Sequence, residues 1–112
     1  MRAQTLADLC RPLTLLRLLV SEYPGLAAPT VAVSPLYPKR LTLSFHDDFP
    51  GFEAWRQALK IVPLDVSYRV QGGRRTGVLD VHAAYGGADI RLLGFADLPA
   101  AGEPRAGEEA TP

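Results

Sequence analysis

Most features that tie a chain to a known chemistry are missing from these 112 residues. There is one cysteine, Cys10, so a disulfide framework within one chain is impossible and nothing points to an oxidising compartment. Cys10 reads as a small apolar residue on a helix. No apolar run approaches the roughly 18 residues of a membrane span: the longest, Leu13 to Val20, is short and carries Arg17. It also fails as a secretory signal, because Asp8 sits where positive charge belongs and Pro12 and Arg17 interrupt it. The expected compartment is therefore the cytoplasm. Charge of one sign is not in surplus either, with 12 basic and 12 acidic residues, which speaks against a nucleic-acid module with its usual basic excess. No catalytic or nucleotide-binding motif is complete. Gly72 to Gly77 lacks the G-K-[ST] ending of a phosphate loop and leads into a strand, and there is no G-x-S-x-G elbow.

What is present is patterning. Leu79, Val81 and Ala83 alternate with Asp80 and His82, and Leu41, Leu43 and Phe45 alternate with Thr42, Ser44 and His46. A period of two belongs to half-buried strands, whose successive side chains leave opposite faces of the pleat. It predicts a sheet with one oily face and one polar face carrying ionisable groups. A hydrophobic content of 47% over this length suits one soluble domain with one core. Charge is unevenly placed. From residue 97 onward Asp97, Glu103, Glu108 and Glu109 face only Arg105, a net of −3, which leaves the remainder slightly basic. Residues 99–112, rich in Ala, Gly, Pro and Glu, are expected to be a disordered acidic tail behind a domain spanning 1–98.

Thr5 and Asp8 have capping-box spacing and open a helix that repeats apolar residues through Leu6, Leu9, Leu13, Leu16 and Val20. Pro12 must either kink it or start a second helix. Its second half is apolar over well over half its circumference, more than one sheet face can bury. Thr30 to Ser34 reads as a strand, 35–40 as a turn, and Leu41 to His46 as its hairpin partner. Asp47-Asp48 introduces a helix to about Lys60 with Phe49, Phe52, Trp55 and Leu59 on one face. Val66 to Gln71, Thr76 to about Ala84 and Asp89 to Ala96 are further strands, joined by Gly72–Arg75 and Gly86-Gly87 turns. The order α-β-β-α-β-β-β predicts an α+β two-layer sandwich, two helices on one face of a largely antiparallel five-stranded sheet. Pro29 and Pro35 guard the first strand, so the unguarded fifth strand is expected to be the edge open to a partner.

Each cluster of functional side chains has a plainer reading beside it. His46, Asp47 and Asp48 could ligate a metal or exchange protons, yet carboxylates before a helix whose first turn holds Pro50 are suited to capping. Asp80 and His82 share a face, but a return crossover puts His82 about 20 Å from His46 at about 3.3 Å per residue, leaving too few ligands for a metal centre. Ser44, His46 and Asp80 fail as a hydrolytic triad on similar grounds. Arg69, Arg74 and Arg75, with Arg91, could form a positive strip for a phosphate backbone, but no aromatic interleaves with them to stack bases.

The stretches Pro29 to Ser34, Leu43 to Asp48 and Phe52 to Arg56 resemble short α+β proteins of high-GC bacteria. The likeness spans the strand–helix core, implies no activity and transfers no site residue. The expectation from the sequence is a small non-enzymatic protein-binding or regulatory module that can form a homodimer. The excess apolar surface of the first helix, at Leu15, Leu18 and Leu19, is the expected partner-binding face. A nucleic-acid accessory protein using Arg69, Arg74 and Arg75 is the alternative, and a metal-dependent enzyme using His46, Asp80 and His82 a more distant one. No metal, cofactor or small-molecule substrate is inferred.

Overall fold

The structure, a computed structural model, describes residues 3–71 and 75–98. Gly72, Gly73 and Arg74 and the expected tail 99–112 lie outside the described residues. Thr5 N–H donates to Asp8 Oδ2 at 2.8 Å, and Asp8 N–H donates to the Thr5 carbonyl at 3.0 Å. This box opens only a short 3-10 turn, Leu6–Leu9; the α-helix proper, α1, is Cys10–Glu22. Pro12 thus falls in the first turn of α1, where its missing N–H would have had no partner. It accompanies a new helix start and is itself buried. Cys10, expected to pack as an apolar residue, is exposed at the first position of α1.

Five strands follow: β1 Thr30–Ser34, β2 Tyr37–His46, β3 Ser67–Gln71, β4 Thr76–Tyr85 and β5 Ala88–Asp97, with α2, Phe49–Ala58, between β2 and β3. Asp48 caps α2, its Oδ1 accepting from Gly51 N–H at 2.9 Å. Gly86 and Gly87 have φ of +60° and +81°, the two left-handed positions a two-residue hairpin turn requires, and Tyr85 pairs with Ala88 across them. The chain is an α+β domain with a mixed, mostly antiparallel sheet in the order β1-β2-β5-β4-β3. β5 lies parallel to β2 and antiparallel to β4.

That order corrects one expectation. β5 is the central strand, and the edges are β1 and β3. The adjacent Leu92 and Leu93 break the alternation and are both buried, one on each face, as a central strand allows. A second correction concerns 35–40, expected to be a turn: β2 already begins at Tyr37, and Ser34 pairs with Tyr37 across only Pro35 and Leu36.

The helices pack chiefly on β2 and β5. Leu15, Leu19, Phe52, Trp55 and Leu59 meet Leu41, Leu43, Phe45, Val81, Ile90 and Leu92 in one core. At Gly94 a Cβ would lie 3.2 Å from the Phe49 ring, so the missing side chain lets α2 sit directly on β5. Trp55 Nε1–H donates to the Ala27 carbonyl at 2.8 Å and ties α2 to the loop before β1.

Candidate functional site

The face of the sheet away from the helices carries the ionisable groups. In register across it lie Ser44, Leu93, Asp80 and Ser67, and one step along, Thr42, Arg91 and His82. Asp80 is the hub. Arg91 donates to it through Nη2 at 2.8 Å and Nε at 3.2 Å, and Arg69 through Nη1 at 3.1 Å. His82 Nε2 stands 3.9 Å from its Oδ1. The Arg91 guanidinium above all, then that of Arg69, holds the Asp80 carboxyl below the usual carboxylate range against the opposing push of burial. Arg91 is raised in turn, chiefly by its bond to Asp80. Three charged chains from β3, β4 and β5 are thereby locked together, a pairing set by the register of the two hairpins.

The residues singled out from the sequence are placed as follows. Leu15 and Leu19 are buried against the sheet, so within this fold they are core residues and cannot present a partner-binding face. Leu18 is exposed, as are Leu13 and Val20, so α1 does carry more apolar surface than the sheet covers. Arg69 is committed to Asp80, Arg74 lies outside the described residues, and the Arg75 carbonyl accepts from Leu98 N–H at 2.8 Å. His46 shares the face of Asp80 but stacks on Phe95, centroids 5.0 Å apart, with β5 lying between it and β4. Asp47, at φ +56°, bends the chain from β2 into α2, its N–H bonded to the Phe95 carbonyl at 2.7 Å. Ser44 and Asp80 share a row but are separated by the whole of β5, out of hydrogen-bond reach of one another. Among the described residues no three His, Cys, Asp or Glu side chains are grouped to hold a metal ion, and no helix is long and apolar enough to cross a membrane.

Two surfaces stand out beyond these. All five residues of β3 are exposed. Tyr68 and Val70 point to the helix side of the sheet, yet they remain 55% and 51% exposed because the helix layer stops short of them. Val62 and Leu64, in the connection just before β3, are exposed as well. The second surface is a groove of about 380 Å³ between α1, the following loop and β1, lined by Leu16, Val20, Tyr23, Leu26, Val31 and Trp55 among others.

Compared with protein-family models, with curated proteins and with solved structures, the chain matches none.

Proposed function

We propose that this chain is a non-enzymatic binding module that self-associates as a homodimer through the β3 edge. The observation that carries the reading is the exposure of all five residues of β3, with Tyr68 and Val70 side by side on an uncovered part of the helix-side face. An edge strand offers a row of backbone donors and acceptors that any compatible strand can take up. β1 is blunted by Pro29, Pro35 and a bulge between Ala32 and Ser34. β3 has neither proline nor bulge, and its one charge, Arg69, is already paired with Asp80. The partner at hand at every concentration is a second copy. Antiparallel pairing about Arg69 would set Tyr68 of one copy opposite Val70 of the other and extend the apolar face. Five residues make a short ladder, so those side chains must contribute much of the contact.

Solution mass at micromolar concentration tests this, for wild type, Val70→Lys and Leu18→Glu. The expected result is a wild-type dimer, a folded Val70→Lys monomer and a dimeric Leu18→Glu. A wild-type monomer would overturn the reading. A dimer that survives Val70→Lys but is broken by Leu18→Glu would move the interface to α1.

A further inference from the structure

A second cleft, of about 210 Å³, opens on the polar face and is lined by Ala32, Ser34, Tyr37, Arg40, Thr42 and Arg91. A register change builds it. Ala32 pairs with Thr42 but Ser34 pairs with Tyr37, so the two-residue step on β1 opposes a five-residue step on β2. Three extra residues are an odd number, and an odd insertion inverts the alternation. Tyr37 would otherwise share the helix side with Leu41 and Leu43; the bulge at 38–40 turns it to the polar face, beside Ser34. Arg40 then lies over its ring, with the guanidinium carbon 4.2 Å from the centroid. Pro38, which cannot donate to a ladder, occupies the bulge, where it is tolerated. Bulges of this kind re-aim side chains beside binding sites.

The donors in this cleft are unequally used. Arg91 spends Nε and Nη2 on Asp80. Arg40 Nε is buried and has no hydrogen-bond partner among the described residues, and a buried donor left unmatched is costly. The Ser34 hydroxyl oxygen accepts from Leu36 N–H at 3.1 Å, leaving its own hydrogen to donate. Thr42 and Tyr37 add hydroxyls. The cleft therefore offers donors converging from three strands, with the Arg91 fork already closed on Asp80. A guanidinium suits carboxylate and phosphate alike, but the added hydroxyls of Ser34, Tyr37 and Thr42 approach from several directions, which a tetrahedral oxyanion with more acceptor oxygens uses more fully. Asp89, in register with Arg40, is exposed and does not line this cleft; it lines the neighbouring one together with Lys39 and Arg40. The volume is below that of sites for whole drug-sized ligands and suits one compact group.

We propose that this cleft binds the phosphate group of a small molecule, with Arg40, Arg91, Ser34, Tyr37 and Thr42 as its donors. This does not rest on the dimer proposed above: the cleft spans β1, β2 and β5 and contains no residue of β3.

The test is a titration of the full chain with inorganic phosphate at constant ionic strength, followed by the arginine Nε–H resonances. Wild type should show saturable shifts at Arg40 and Arg91 with a dissociation constant in the millimolar range. Arg40→Gln should weaken binding about tenfold or more, and Arg17→Gln, on α1 across the sheet, by less than about twofold. Arg40→Lys, which keeps the charge but removes the Nε donor, should weaken it as well, and circular dichroism confirms that each variant is folded. Sulfate should compete and acetate should not. Several results would overturn the proposal: no saturable shift, equal binding of acetate, or full retention of binding in both Arg40 variants. A response to a short single-stranded oligonucleotide without one to inorganic phosphate would overturn it too, in favour of backbone recognition along an extended strip.

Discussion

Asp80 on β4 accepts two hydrogen bonds from a single guanidinium, that of Arg91 on β5, at 2.8 and 3.2 Å. With its side chain only 11% exposed, the carboxylate is held in its charged form against burial chiefly by that contact, and then by the one from Arg69. Its folded pKa is depressed, so the stabilisation is fully present above the unfolded carboxylate pKa of about 4 and is lost as the pH falls through the lower folded value. Asp80→Asn should cost about 1–3 kcal/mol at pH 7. In urea unfolding, the gap between wild type and variant should narrow as the pH is taken from 5 towards about 2. A gap that stays constant with pH would show that Asp80 acts by packing and not by charge.

Leu15 and Leu18 are three residues apart on α1, yet Leu15 is 2% exposed and Leu18 41%. Leu15→Ala should lose about 2–5 kcal/mol and Leu18→Ala no more than about 0.5 kcal/mol in denaturant unfolding. Equal costs would mean that α1 is rotated from the orientation described.

A Cβ on Gly51 would stand 2.2 Å from Asp48 Oδ2, the carboxylate that caps α2. Gly51→Ala therefore displaces the cap and should cost about 1 kcal/mol, much as Asp48→Ala does. The two share one hydrogen bond, so their effects should not add: in an Asp48→Ala background, Gly51→Ala should cost little further. Thermal melts of the four members of the cycle measure this.

Trp55 is the only tryptophan, is nearly buried, and donates from Nε1 to the Ala27 carbonyl at 2.8 Å. Trp55→Phe keeps an aromatic beside Phe45 but leaves that carbonyl without its donor, at a cost of about 1–3 kcal/mol. Wild-type fluorescence should be that of a shielded indole and shift to the red in step with unfolding. A red-shifted native spectrum would contradict the packing of α2 on the loop before β1.

Local features were legible in the sequence because their causes lie within a few residues. The period-two runs of β2 and β4, the Asp48 cap and the Gly86-Gly87 turn each follow from side-chain alternation, a nearby N–H or a left-handed φ. The excess apolar circumference of the first helix was legible too, and Leu13, Leu18 and Val20 remain exposed. Which of its leucines face inward was not, since a nearly uniform apolar helix has no preferred stripe. Leu15 and Leu19 were selected by the sheet they met.

By itself the sequence determined the elements, their order and the α+β class, through short-range sterics and the separation of apolar from polar faces. Only the tertiary structure decided how the hairpins assemble, with β5 laid parallel to β2. Backbone hydrogen bonds between strands are chemically alike for every residue, so alternation says which face a side chain takes and nothing about the strand beside it. The insertion of β5 between β2 and β4 made it central and left β3 at the edge. The odd bulge in β2 likewise turned Tyr37 against its own period and set it beneath Arg40. Both proposed surfaces, the β3 edge and the oxyanion cleft, arise from these long-range pairings.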